Sequence, residues 1–171
     1  MTDRTSPLPT DAQLQHWLER IDGLLHQGFR TTPQRLDDGF AGRDFHVVTL
    51  HASQDFWDWP DLEQIEETWA DFEAALDALA GALAFRWGPP EDVELWPYLK
   101  SLVEDGTSVI PQPIRMLSQS ASEMRVWRPA DHDRFVALAV GQHDKELPIE
   151  LLAAVGMSAS LTPPRVPPAA A

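Results

Sequence analysis

The longest periodic pattern in the chain is a stripe of apolar side chains. Its members follow one another at alternating steps of three and four residues: Leu62, Ile65, Trp69, Phe72, Leu76, Leu79 and Leu83. This spacing places all of them on one face of an α-helix. Pro60 precedes the stripe, where the missing N–H of a proline costs nothing. The pattern predicts a long amphipathic helix that lies on a sheet, with a coiled coil as the alternative.

A second long helix is predicted near the start of the chain. Thr10 and Gln13 have the spacing of a capping box, in which each side chain satisfies a backbone N–H of the first turn. The apolar residues that follow share one helix face: Leu14, Trp17, Leu18, Ile21, Leu24 and Leu25. Gly28 is suited to end this helix.

The other periodic segments predict strands. Residues 45–51 and 124–128 are rich in β-branched and aromatic types, and 135–140 is apolar on both faces, as a central strand would be. Residues 148–155 suit a strand or a helix, and the short loop before them favours a strand. A short helix is expected at 97–106. Together these segments predict an α+β fold in which an antiparallel sheet of about five or six strands packs one face against two long helices.

Length and composition bound the organisation of the chain. Its 171 residues, 43% of them hydrophobic, suit one globular domain. We expect a flexible N-terminus at 1–9, a single α+β domain at 10–156 and a disordered Pro/Ala-rich tail at 157–171. No leader-like apolar stretch begins the sequence, and no uncharged run approaches the roughly 18 residues of a membrane span. The expected location is the cytoplasm, without a membrane partner.

Acidic residues dominate the charge. The chain has 27 acidic and 13 basic residues and a formal net charge of −14, so nucleic acid is not an expected partner. Between Arg43 and Arg86 ten acids occur without a single Lys or Arg. Five of these acids lie on the predicted long helix, away from its apolar stripe: Glu63, Glu66, Glu67, Glu73 and Asp77. Such a face either keeps the protein in solution or steers a basic partner protein onto it.

Tryptophans flank the same helix. Trp57 and Trp59 precede it, and Trp87 and Trp96 follow it, whereas the other three tryptophans are expected in the core. Because tryptophan is enriched at the energetic centres of protein interfaces, Trp57 and Trp59 are candidate anchors for a partner. The alternative is that all seven tryptophans pack internally.

The histidines offer little for a metal site. His46 and His51 are five positions apart on a predicted strand, so they should point to opposite faces and share no metal. Asp131, His132 and Asp133 lie in a predicted turn, where neighbouring side chains diverge. The chain also has no cysteine, which removes disulfides, thiolate nucleophiles and Cys-based zinc sites. We expect neither a metal nor another cofactor.

One loop is the best candidate for catalysis. His143, Asp144, Lys145 and Glu146 combine a potential general base with a cation that could hold an anionic substrate. Alternatively, Asp144 stabilises a turn and Lys145 pairs with a carboxylate. The sequence contains none of the usual nucleotide-binding, zinc-protease or serine-hydrolase motifs. We therefore assign no catalytic residue and keep a hydrolase-type enzyme with a site at 141–146 as an alternative.

Several short motifs resemble those of known sequences. They are Trp-Gly-x-Pro at 87–90, Val-Trp at 126–127, Arg134 and Gly-Gln-x-Asp-Lys-Glu-Leu-Pro at 141–148. On these motifs the chain resembles a group of small uncharacterised acidic proteins of actinobacteria. Eleven arginines against two lysines agree with a GC-rich genome. The resemblance implies a source and no particular activity.

The sequence favours a binding protein over an enzyme. We expect a soluble acidic module that binds a basic protein, in its sharpest form an immunity-like or antitoxin-like inhibitor. The five helix acids would supply association rate and orientation, and the two tryptophans before the helix would anchor the partner. The alternative among binding proteins is a small secretion or folding chaperone, which we would expect to form a homodimer.

Overall fold

The computed structural model describes residues 8–58, 61–104, 106 and 109–162. Its four helices are α1 (Asp11–His26), α2 (Leu62–Trp87), α3 (Trp96–Glu104) and α4 (Ile114–Ser118). Its seven strands are β1 (Gln34–Leu36), β2 (Gly39–Gly42), β3 (Phe45–Ala52), β4 (Glu91–Glu94), β5 (Glu123–Trp127), β6 (Arg134–Gly141) and β7 (Glu150–Met157). A 3₁₀ turn at Ser158–Ser160 follows the last strand.

The seven strands form one sheet in the order β1-β2-β3-β7-β6-β5-β4, and every neighbouring pair is antiparallel. This confirms the α+β class and the antiparallel sheet. It also confirms a strand, β7, for the segment at 148–155, whose sequence is compatible with either a strand or a helix. The expected number of strands, five or six, is wrong. The additional strands lie at the edges, where β1 has three residues and β4 reads Glu-Asp-Val-Glu, so neither shows an apolar pattern.

Helices α1 and α2 cover one face of the sheet. Their buried side chains include Ile21 and Leu24 from α1 and Leu79 and Leu83 from α2, which pack on strand residues such as Val136. The predicted capping box also forms, with Thr10 Oγ1 accepting from the N–H of Gln13 at 3.1 Å. The periodic stripe of the long helix is therefore directed at a sheet.

A second layer covers the opposite face. Helices α3 and α4 bury Tyr98, Ile114 and Leu117 against strand residues that include Met124 and Phe135. The expectation of helices on one face is therefore incomplete. The short helix expected at 97–106 corresponds to α3, but α4 lies in a segment whose prolines suggest an extended chain.

The ends of the domain differ from the expected boundaries. Strand β7 continues to Met157, Leu161 packs against the second core, and the carbonyl of Thr162 accepts a hydrogen bond from Tyr98 Oη at 2.9 Å. The predicted disorder of 157–171 is thus wrong for 157–162, because these residues complete the sheet and its second layer. The expectations for 1–7 and 163–171 concern residues outside the described ones. Within the described residues, no helix is both long enough and apolar enough to cross a bilayer.

Candidate protein-binding surface

The outer side of α2 carries all five acids that the sequence places there. Glu63, Glu66, Glu67, Glu73 and Asp77, called here the acidic face, are all exposed. Their position follows from the helical period, because burial of the stripe on the sheet turns the intervening residues outward.

One member of the acidic face is neutralised from within the fold. Arg125 of β5 donates from Nη2 to Asp77 Oδ1 at 2.6 Å. The expectation that these acids have no cationic partner is therefore wrong at Asp77. The cause is tertiary, since the sheet brings β5 beside a helix that lies 48 residues earlier in the chain.

The uncompensated charge is confined to part of the acidic face. No described basic side chain lies within 4 Å of Glu63, Glu66 or Glu73, and Glu67 is not without a partner. Glu63 lies in the first turn, where the positive end of the helix dipole stabilises a carboxylate. Because this effect fades beyond the first turn, Glu66 and Glu73 are the acids that no feature of the described fold explains.

Two large exposed apolar residues lie close in sequence to the start of the acidic face. Leu62 is 67% exposed and Trp57 is 59% exposed. Phe56, the residue before Trp57, is buried, and its N–H donates to the carbonyl of Glu146 at 2.9 Å. Trp59, the other predicted anchor, lies outside the described residues. Exposed apolar side chains next to carboxylates are typical of a surface that binds protein.

The sequence does not identify Leu62 as part of this surface. Its place in the apolar stripe predicts burial, but the stripe is fully buried only further along, at Leu79 and Leu83. The one sequence feature that points to the exposure of Leu62 is its position at the start of the helix, directly after Asp61. Asp61 caps the helix by accepting from the N–H of Glu63 at 3.2 Å.

Trp87, the last residue of α2, and Trp96, which follows the helix, do not join this surface. Trp96 is 61% exposed, but it begins α3, which packs on the opposite face of the sheet. Trp87 is half-buried. Gly88, which ends α2 with a φ of 84°, accepts at its carbonyl from Trp127 Nε1 at 3.1 Å. A backbone of this kind is easily adopted only by glycine, so the turn holds the end of α2 against the sheet core.

A shallow cleft lies between α2 and β5. Its volume is about 40 Å³, and Trp69, Glu73 and Arg125 are among the residues that line it. Small-molecule sites are typically about 300–1,000 Å³, so the cleft is too small for one.

The loop expected as the catalytic alternative uses its polar groups to close its own turn. Gln142 Nε2 donates to the carbonyl of Leu147 at 2.8 Å, and Asp144 Oδ1 accepts from the N–H of Glu146 at 3.4 Å. His143, Asp144 and Lys145 are exposed. Within the part of the chain that the structure describes, no hydrogen bond or ion pair of the His143 imidazole is seen.

The two histidines of β3 share a face, contrary to the expectation from their odd separation. A bulge between Thr49 and His51 shifts the register, so that His51 pairs with Leu151. A bulge adds one residue and thereby reverses the alternation of faces. His51 stacks on Phe72 with ring centroids 5.1 Å apart, on the side of the sheet that also holds His46.

His46 and His51 are not part of a described cluster of potential metal ligands. Among the described residues, no three His, Asp or Glu side chains converge into a group that could hold a metal ion. Asp131, His132 and Asp133 form a turn as expected, in which the N–H of His132 donates to the carbonyl of Pro129 at 3.1 Å. The His132 ring meets that of His26 edge-on, at 5.1 Å between centroids.

No protein-family model matches the chain, and no curated protein or solved structure matches it either. The functional assignment therefore depends on the chemistry of the acidic face and its neighbours. That surface offers carboxylates for cationic groups and, in Trp57 and Leu62, apolar area for a dry contact.

Proposed function

We propose that the protein is an acidic binding module that receives a basic partner protein on the acidic face of α2. The observation that carries the proposal is that Glu66 and Glu73 project from one helix face without a described ion pair, on a helix whose start is close in sequence to the exposed Trp57 and Leu62. Like charges on one helix destabilise it by about 0.2–0.5 kcal/mol per neighbouring pair. Cations of a partner would relieve that repulsion.

The carboxylates and the exposed apolar side chains would contribute to different steps of binding. A net charge of −14 attracts a basic protein over a distance, and the local carboxylates orient it. Exposed charges contribute little to the affinity itself, because water and salt screen them. Trp57 and Leu62 would supply the desolvated contact that slows dissociation.

An immunity-like or antitoxin-like inhibitor is the specific form that we propose. Such a protein must reach a folded basic partner quickly, which is what concentrated, uncompensated charge favours. The resemblance to small acidic actinobacterial proteins supplies the place to look for that partner, beginning with genes next to the one that encodes this chain.

A small secretion or folding chaperone is the second candidate. Trp96 and Val103 of α3 are exposed apolar residues on the layer opposite α2, and a chaperone would use such residues to bind a client or a second copy. The two candidates differ in the state of the partner, because an inhibitor binds a folded protein and a chaperone binds an unfolded segment. A hydrolase-type enzyme with a site at 141–146 stays a prediction from the sequence.

The proposal is tested by measuring how salt affects the complex. Basic proteins from the source organism are captured at about 50 mM salt, and the association rate of each purified partner is then measured at about 50 and 300 mM. We expect a fall of about tenfold or more, because steering by charge is screened over this range. A Trp57→Ser variant should chiefly raise the dissociation rate. A partner whose association rate does not depend on salt would contradict the proposed role of the acidic face.

A further inference from the structure

His46 lies inside the protein without a hydrogen-bond partner. The residue is 0% exposed, and neither Nδ1 nor Nε2 has a partner. Its neighbours across the sheet are Ala41 of β2 and Val155 of β7, which carry no charge. A buried polar group that makes no hydrogen bond lowers the stability of the fold, so its presence calls for an explanation.

The described neighbour on the covered side of His46 is Phe29, which follows the C-terminal end of α1. The ring of Phe29, just beyond that end, lies 5.3 Å from the imidazole, and the guanidinium of Arg134 lies 3.8 Å over the Phe29 ring. Arg134 Nη1 is also 2.6 Å from the carbonyl of Gln27 and 3.1 Å from that of Leu25. The stack of His46, Phe29 and Arg134, called here the latch, therefore holds the last turn of α1 on the sheet.

The charges around the imidazole are unfavourable to a proton. Burial is the largest cause that lowers the pKa of His46 below 6.5, followed by Arg134 of β6, Arg20 of α1 and Arg30 of the chain after α1. Asp38, in the turn between β1 and β2, is engaged by Arg20 at 2.8 and 3.0 Å. A protonated His46 would thus meet three cations, and the carboxylate beside them is already paired.

We propose that the latch is an acid-sensitive contact: when His46 takes up a proton, the C-terminal end of α1 and Phe29 lift from the sheet. The proton comes from water and adds to a ring nitrogen, and the resulting imidazolium reaches solvent once the Phe29 ring moves away. Strands β5 and β6 stay closed, because the layer of α3 and α4 packs on the other face. This inference is independent of the proposed binding function.

The direction of the pH effect follows from proton linkage. The closed form keeps His46 neutral, whereas the open form lets it titrate near its ordinary value of 6.5. Below pH 6.5 the open form therefore binds more protons than the closed form. The closed latch is fully favoured above that pH and loses stability as the pH falls. About tenfold is the largest rise in the opening constant that we expect between pH 7.5 and about 5.5, and it is reached if His46 stays neutral in the closed form over this range.

Hydrogen exchange at both pH values, corrected for intrinsic rates, tests this inference. Amides of residues 23–30 in the wild-type protein should open up to about ten times more often at the lower pH, while those of β6 change by less than about twofold. His46→Phe keeps an aromatic ring in place and should abolish the increase. His46→Met serves the same purpose if phenylalanine does not fit. His143→Gln, an exposed histidine, is the control and should behave as the wild type does.

Three results would overturn the inference. The first is a pH-dependent opening that persists in His46→Phe or His46→Met. The second is an increase in β6 that equals the increase at 23–30, since the opening would then be global. The third needs no variant: an NMR titration of the wild-type protein in which His46 titrates at or above pH 6.5 would show that the closed form accepts the proton.

Discussion

The two halves of α2 carry one uninterrupted apolar stripe and yet have different environments. Leu79 and Leu83, in the C-terminal half, are completely buried against the sheet, whereas Leu62, in the first turn, is largely exposed. The period of a stripe determines which residues share a helix face. It does not determine what covers that face. The C-terminal half of the helix holds the fold together, and the N-terminal half presents a surface.

Truncation of one leucine in each half should produce the largest difference. We expect Leu79→Ala to lower the free energy of unfolding by about 2–5 kcal/mol, because it leaves a cavity in the core. Leu62→Ala should change it by less than about 0.5 kcal/mol. Chemical denaturation of both variants measures the effect. Equal losses would mean that Leu62 is covered in solution, for example by a second copy of the chain.

Replacing an acid of α2 should change the free energy of unfolding by a smaller amount than truncating a buried leucine. Asp77→Asn removes the charge that pairs with Arg125, and we expect a loss of up to about 1 kcal/mol, since Asp77 is mostly exposed and screened. A thermal or chemical denaturation series at low and high salt is the appropriate measurement. The loss should shrink as salt increases; a loss that is insensitive to salt would point to a hydrogen bond as the relevant contribution.

The smallest expected effect has the opposite sign. Glu73→Gln removes the repulsion between Glu73 and Asp77, one helical turn apart, so the variant should be as stable as the wild type or more stable by a few tenths of a kcal/mol. The same denaturation series detects it. A clear destabilisation would show that Glu73 contributes to the stability of the fold, which would contradict its proposed role as a free carboxylate for a partner.

Local patterns predicted the elements that bury a periodic apolar face. The capping box of α1, the long stripe of α2 and the doubly apolar β6 are examples, because period and capping are encoded within a few neighbouring residues. The sequence pattern does not predict strand β4, since Val93 is its single apolar residue. It forms because β5 offers an edge to pair with, which the sequence of β4 does not reveal.

The candidate site was less accessible from the sequence, because tertiary contacts decide it. The helical period correctly predicts that the five acids are exposed, but the neutralisation of Asp77 requires Arg125 from a distant strand. In the same way, the bulge in β3 placed His51 on an unexpected face, and His46 is fully buried with the ring of Phe29, from the chain after α1, beside it. None of these contacts leaves a trace in spacing or composition.

The charge of α2 tests the account most directly. Glu66→Lys/Glu73→Lys and the control Glu104→Lys/Asp131→Lys both replace two acids with two lysines, so each raises the formal net charge from −14 by the same four units. The control residues are exposed and lie away from α2, on α3 and in the turn before β6. The measurement is the association rate of each variant with a captured basic partner at low salt.

We predict that the α2 variant associates about tenfold or more slowly than the wild type, whereas the control stays within about threefold, because position as well as total charge steers the encounter. Equal slowing of both variants would contradict the account, since net charge alone would then explain the attraction.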